Sequence, residues 1–219
     1  MALTAQQLAL QQKYQQAIAD YQASWKHIDD ALRPIVRQLT WTTLPDVHTK
    51  VVFVDGVYRA GLVRVVGRGA TMRCATALLA AAPKLQPSIV TLSAFNGKLN
   101  GKAAMAVTAV HGDMLSVLPT SKKGKRPRSF ASKFLHFHDP VVPLYDSQVR
   151  NNAPSLLALA GVSNADFGAA SAKYPRPPGT DTTYYEHVLR VLLLWEALAV
   201  VLEPVALTVK GVDHMLFLG

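Results

Sequence analysis

Residues 128–149 read Arg128-Ser-Phe-Ala-Ser-Lys133-Phe-Leu-His-Phe-His138-Asp-Pro-Val-Val-Pro143-Leu-Tyr-Asp146-Ser-Gln-Val149. At about 100° per residue Phe130, Phe134 and Phe137 share one face, and Lys133 lies about 60° from Phe130 and about 40° from Phe137. The spacing predicts a helix over 130–138 with a lysine at the edge of its aromatic face. Pro140 and Pro143 cannot continue it and force an extended turn. Asp146 closes that turn just ahead of another run of helix formers, where its carboxylate would accept backbone N–H groups as an N-cap.

Desolvation at the edge of an aromatic face lowers a lysine's pKa and supplies a neutral amine near neutral pH, as Schiff-base chemistry requires. A lysine amine and a fixed carboxylate on one pocket suit the excision of a flipped-out base. Phe134, Phe137, His136 and Tyr145 are the neighbours that could wall such a pocket. Each feature also has an ordinary reading: lysines snorkel, an Asp before a helix caps it, and Phe at four-residue spacing packs a core.

Upstream, Lys122, Lys123, Lys125, Arg126 and Arg128 make five of the eight residues in 121–128 basic. The whole chain carries 23 Lys and Arg against 14 Asp and Glu, a net +9 that favours a polyanionic partner, nucleic acid or anionic lipid. The loop's place directly before the Lys133 helix favours phosphate binding, with solvated charge as the alternative.

Most of the remaining sequence predicts helix. Leu10, Tyr14, Ala17, Ile18, Tyr21 and Trp25 recur at three- and four-residue spacing within 4–39, a long N-terminal helix with Pro34 as its kink. Residues 46–66 are rich in valine, which favours strand, while Tyr58, Leu62 and Val66 recur at helical spacing. Helices are expected over 70–82, 102–118, from about Ser147, over 181–202 and at the C-terminus, with Pro83, Pro87, Asn96-Gly97 and Asn100-Gly101 as punctuation. At 219 residues and half apolar, the chain is expected to form a single helical domain, 1–219, with 1–45 as an N-terminal helical segment.

Ser132-Lys133-Phe-Leu-His-Phe followed by Pro143-Leu-Tyr-Asp146-Ser-Gln-Val149 resembles the lysine-helix and aspartate-turn signature of the helix-hairpin-helix DNA glycosylase superfamily, nearest a bacterial group with the 8-oxoguanine glycosylase fold. The resemblance covers about 102–219, and the ending Val212-Asp213-His-Met-Leu-Phe-Leu-Gly219 is similar to the way small members finish. It implies an all-α fold, damaged duplex DNA as partner, Lys133 as the group that attacks the sugar C1′, and Asp146 as the group that assists. In that superfamily a glycine-containing hairpin precedes the lysine. Here the residues are Lys125-Arg126-Pro127-Arg128-Ser129, so DNA contact there would rest on side-chain charge.

Other constellations carry less. His136 and His138 point about 160° apart on a helix, and the single Cys74 sits among alanines and leucines, so no metal is expected. Gly67-Arg-Gly69 lacks both the phosphate-loop and the dinucleotide patterns, and no cofactor is expected. The longest apolar run, Val191–Leu202, is twelve residues and contains Glu196, too short for a bilayer. The N-terminal residues have no secretory pattern, and a cytoplasmic location is the expectation. Two rivals stand beside the enzyme reading: a non-catalytic nucleic-acid-binding module, and a helical interaction protein of a phage-defence or toxin–antitoxin system whose N-terminal helix is the partner surface.

Overall fold

The valine-rich segment at 46–66, left open between strand and helix by the sequence, forms two helices broken at 59–61 in the computed structural model, which describes residues 3–202 and 207–219. Val47, Val51 and Val54 are buried at helical spacing, so tertiary packing overrides the β-branched preference. In chain order the helices are α1 (Ala5–Ser24), α2 (Lys26–Gln38), α3 (Leu44–Tyr58), α4 (Leu62–Val66), α5 (Ala70–Leu92), α6 (Gly101–Val117), α7 (Arg128–His138), α8 (Ser147–Leu159), α9 (Asn164–Lys173), α10 (Thr182–Val201) and α11 (Val209–Leu218). The fold is all-α, with no strand among the described residues. None of the described helices is long and apolar enough to cross a membrane.

Side-chain caps set many of the boundaries. Thr4 and Gln7 form a capping box on α1, as do Ser163 and Asp166 on α9, while Thr43, Asn100, Asp146, Asp181 and Thr208 each accept an N–H in the first turn of their helices. The prolines are weaker punctuation than expected. Pro83 and Pro87 lie within α5, four residues apart on its exposed side, where the carbonyls they leave unpaired can meet water. Pro34 likewise lies inside α2, and the N-terminal helix breaks instead at Trp25, whose ring packs 5.8 Å from that of Tyr58.

A continuous apolar core runs from Leu10 and Tyr14 of α1 through α3, α5, α6, α7 and α10 to Met215 and Leu216 of α11. Cys74 is a buried member of it, its thiol pushed up to about 12 by burial. The C-terminal helix α11 packs on α1 and α8. Gly211 permits this close approach, because a Cβ there would fall 2.5 Å from the Tyr14 hydroxyl. Docked in this way, α11 brings Lys210, Asp213 and His214 to the region where α7 meets the start of α8.

Candidate functional site

Helix α7 carries Lys133 into the protein, where the residue is only 5% exposed. Its ammonium donates to the Tyr58 carbonyl at the C-terminal end of α3 (3.0 Å) and stands 3.6 Å from Asp146 Oδ2. Burial pulls the Lys133 pKa below the ordinary lysine value; Asp146 opposes this, while the nearby Lys210 lowers it further. Asp146 is the N-cap of α8, with Oδ1 accepting the Val149 N–H at 3.0 Å, so one carboxylate oxygen holds the helix and the other faces the amine.

The turn that delivers Asp146 is held by buried side chains. The His136 Nδ1–H donates to the Val142 carbonyl (2.8 Å), the Tyr184 hydroxyl to the Pro143 carbonyl (2.9 Å), and the His187 Nε2–H to the Leu144 carbonyl (2.8 Å). The Leu144 N–H donates to Asp213 Oδ2 (3.0 Å) and the Tyr145 N–H to Ser132 Oγ (3.0 Å). Burial holds His187 down to about 4 and His136 well below its usual range, so both rings are neutral donors near pH 7. Burial also raises Asp213 well above the carboxylate range, and its second oxygen, Oδ1, has no partner.

Lys133 and Asp146 open on a cavity of about 740 Å³. Trp25, Tyr58, Tyr145 and Phe217 supply aromatic wall, and Arg59, Arg64 and Arg150 supply positive charge. A second lysine–aspartate pair stands in the same region: Lys210 Nζ lies 3.0 Å from Asp29 Oδ2 and 3.1 Å from the Tyr58 hydroxyl, and also sits over the rings of Tyr21 and Tyr58. Asp29 accepts further hydrogen bonds from the Tyr21 and Tyr58 hydroxyls. Tyr58 therefore touches both lysines, one through its carbonyl and the other through its hydroxyl.

Of the residues singled out from sequence, Lys133, Asp146 and Tyr145 line this cavity, and Phe134, Phe137 and His136 do not. Those three are core: Phe134 packs on Trp41 and Phe130, Phe137 packs edge-on against Tyr58, and His136 is wholly enclosed in holding the aspartate turn. The helical wheel placed the lysine correctly but could not say that the whole aromatic face is covered. Arg128 is committed to an ion pair with Asp181 at 2.7 Å, which removes it as a free phosphate contact. Lys122, Lys123, Lys125 and Arg126 are exposed and outside ion pairs among the described residues, on a turn closed by the Ser121–Lys125 backbone bond. They are not part of the cavity wall, although Ser129, just after them, is.

Sequence reading passed over Asp29, Tyr58, Arg59, Arg64, Arg150, Lys210 and Asp213. Among these, only Asp213 had a signal, as part of the C-terminal resemblance. No family model matches the chain, and neither a curated protein nor a solved structure is similar to it.

Proposed function

We propose that the protein binds DNA bearing an oxidised purine and releases that base through Schiff-base chemistry at Lys133. The observation that carries this reading is a desolvated lysine 3.6 Å from a helix-capping carboxylate on the wall of a cavity large enough for a nucleotide base. The order of the lysine-helix and aspartate-turn motifs, within an all-α chain, accords with the helix-hairpin-helix glycosylase fold that we propose for it.

In this mechanism the Lys133 amine gives up its proton, with the Asp146 carboxylate as the nearest acceptor, and attacks C1′ of the extruded nucleotide. The C1′–N9 bond breaks, and the base leaves with the bonding pair and takes the proton on from Asp146, which returns Asp146 to its carboxylate form. Asp146 stabilises the positive charge that develops on the sugar, and the Tyr58 carbonyl at the end of α3 offers the same kind of stabilisation. Ring opening of the covalent adduct gives an iminium, from which an abasic-site lyase reaction can follow. The aromatic wall would stack the base, and the exposed cations would hold phosphates.

Borohydride tests this directly, because hydride addition to the iminium carbon makes the protein–DNA link permanent. Wild-type protein should form a trapped adduct with a duplex containing a single 8-oxoguanine or abasic site, and Lys133→Gln should form none while keeping most of its non-covalent affinity. Absence of adduct with either duplex overturns the enzyme reading in favour of a binding module.

A further inference from the structure

The stretch between α3 and α5 has features that packing alone does not require. Within eleven residues, Arg59 (φ 46°), Gly61 (φ 74°), Gly67 (φ 93°) and Gly69 (φ 70°) all adopt positive φ, giving two sharp turns around the five-residue α4. The turns are pinned. The Leu62 N–H donates to Asp55 Oδ1 (3.0 Å), and Arg73 reaches back to the Val66 carbonyl (2.6 Å). The Arg64 guanidinium lies so close over Gly61 that a Cβ there would come within 2.9 Å of it. Leu62 and Val66 anchor α4 in the core, whereas Val63 between them is 60% exposed.

This pinned segment carries Arg59, Arg64 and Arg68, all exposed and none in an ion pair among the described residues. Arg59 and Arg64 also line the cavity that holds Lys133 and Asp146, which the Lys122–Arg126 loop does not. Paired guanidinium groups on a fixed backbone match phosphate oxygens. Val63, exposed beside Arg64 in the chain and outside the cavity wall, is the kind of apolar side chain that proteins insert between base steps when a nucleotide leaves the stack.

We propose that residues 59–69 are the element that grips duplex DNA at the cavity mouth: Arg59 and Arg64 hold the phosphates beside the extruded nucleotide, and Val63 enters the space that it vacates. The occupant is DNA, since unpaired arginines beside a nucleotide-sized opening complement a polyanion, and the assignment rests on the DNA reading given above. It also gives Gly67-Arg-Gly69 a part, as the positive-φ exit from the turn, although the segment has no nucleotide-loop pattern.

The test is the salt dependence of binding to a duplex containing one tetrahydrofuran abasic analogue, with 2-aminopurine beside it to report unstacking. Each phosphate neutralised contributes about 0.9 to the log–log slope, so Arg59→Gln/Arg64→Gln together should flatten it by about 1.8. The same loss of charge at two residues outside the cavity, Lys98→Gln/Lys102→Gln, should leave the slope unchanged. Val63→Ala should bind with nearly wild-type affinity but lose most of the 2-aminopurine signal. The assignment is overturned by an unchanged slope in the arginine variant, by an equal change in the lysine control, or by full unstacking with Val63→Ala. In each of those cases the wild-type protein still binds and the DNA reading stands. A wild type that does not bind the duplex overturns both.

Discussion

Lys133 and Asp146 stand 3.6 Å apart with the carboxylate side chain 24% exposed, whereas Lys210 and Asp29 stand 3.0 Å apart with theirs 2% exposed. Asp29 accepts from two tyrosine hydroxyls as well as from its lysine, and the Lys210 ammonium rests over two aromatic rings. The Lys133 pair has a longer contact between its partners, with Asp146 capping α8 and the Lys133 ammonium donating to the Tyr58 carbonyl instead. Two pairs of the same chemistry around one cavity thus differ in how much each would lose by separating. A reacting amine must be free to leave its counter-ion, and only the Lys133 pair is built that way. The Lys210 pair ties α11 to α2 and α3, and its cation helps to keep the Lys133 amine from holding its proton.

The largest effect that could break this contrast is on covalent chemistry. Lys133→Gln should reduce borohydride trapping to background, Asp146→Asn should slow it by about 10²–10⁴-fold, and Lys210→Gln should still form the adduct. Trapping that survives in Lys133→Gln and vanishes in Lys210→Gln would reverse the assignment of the two lysines.

Stability should respond in the opposite order. Asp29→Asn leaves Lys210 buried without its counter-ion and should cost about 3–5 kcal/mol in urea denaturation. Asp146→Asn keeps a side chain that caps a helix and should cost less than about 1 kcal/mol. Equal losses would show that the two pairs are equally structural.

Acid should reach the Lys133 side first. His187 is held down to about 4 against an ordinary value near 6.5, so between those pH values the unfolded chain binds the proton that the folded one refuses. The contribution of His187 therefore rises with pH across that window and is lost as pH falls from about 6.5 towards 4, while the raised Asp213 carboxyl contributes in the opposite sense. The slope is about 1.4 kcal/mol per pH unit for this residue, and His136 adds in the same sense. Thermal melts across pH 4–7 check the sign, and His187→Gln should flatten the dependence. Because both rings hold the aspartate turn, trapping should fail in acid through loss of the Asp146 position.

Lys50 provides the smallest test, as a buried lysine with no ion-pair partner among the described residues, Asp46 acting on it only at longer range, and its amine 4.9 Å from the Trp41 ring centroid. Burial lowers it to about 8 from 10.5. The cost of its charge is fully present below pH 8 and is relieved as pH rises towards 10.5. Lys50→Met should therefore stabilise the protein near pH 7 by about 1 kcal/mol after loss of the cation–π contact, with the gain shrinking at alkaline pH.

Much of the helical framework was legible, because apolar spacing and Ser, Thr, Asn and Asp caps are local signals. The boundaries of α6, α7 and α10 fall within two residues of the periodic runs that announced them. The end of α10 was expected near Leu202, but Pro204 beyond it lies outside the described residues. Punctuation was misread, and 46–66 left undecided, where an outcome depends on which side of a helix meets the core. Pro83 and Pro87 are tolerated because both face solvent, and the valines of α3 become helical because their burial outweighs a preference worth tenths of a kcal/mol per residue.

Taken alone, the sequence determined a mostly helical chain, a positive charge excess, and a lysine and an aspartate brought by an intervening proline turn to neighbouring helix positions. These follow from period, composition and short-range stereochemistry. Tertiary structure decided which aromatic rings line the cavity and which fill the core. It also decided that Arg128 is consumed by Asp181, and that Asp29, Tyr58 and Lys210 meet, although up to 181 positions separate them in the chain. No local pattern encodes such a meeting. It exists only once α1, α2, α3 and α11 bury their apolar faces together, and the polar groups left between them must then find one another or pay for desolvation unpaired.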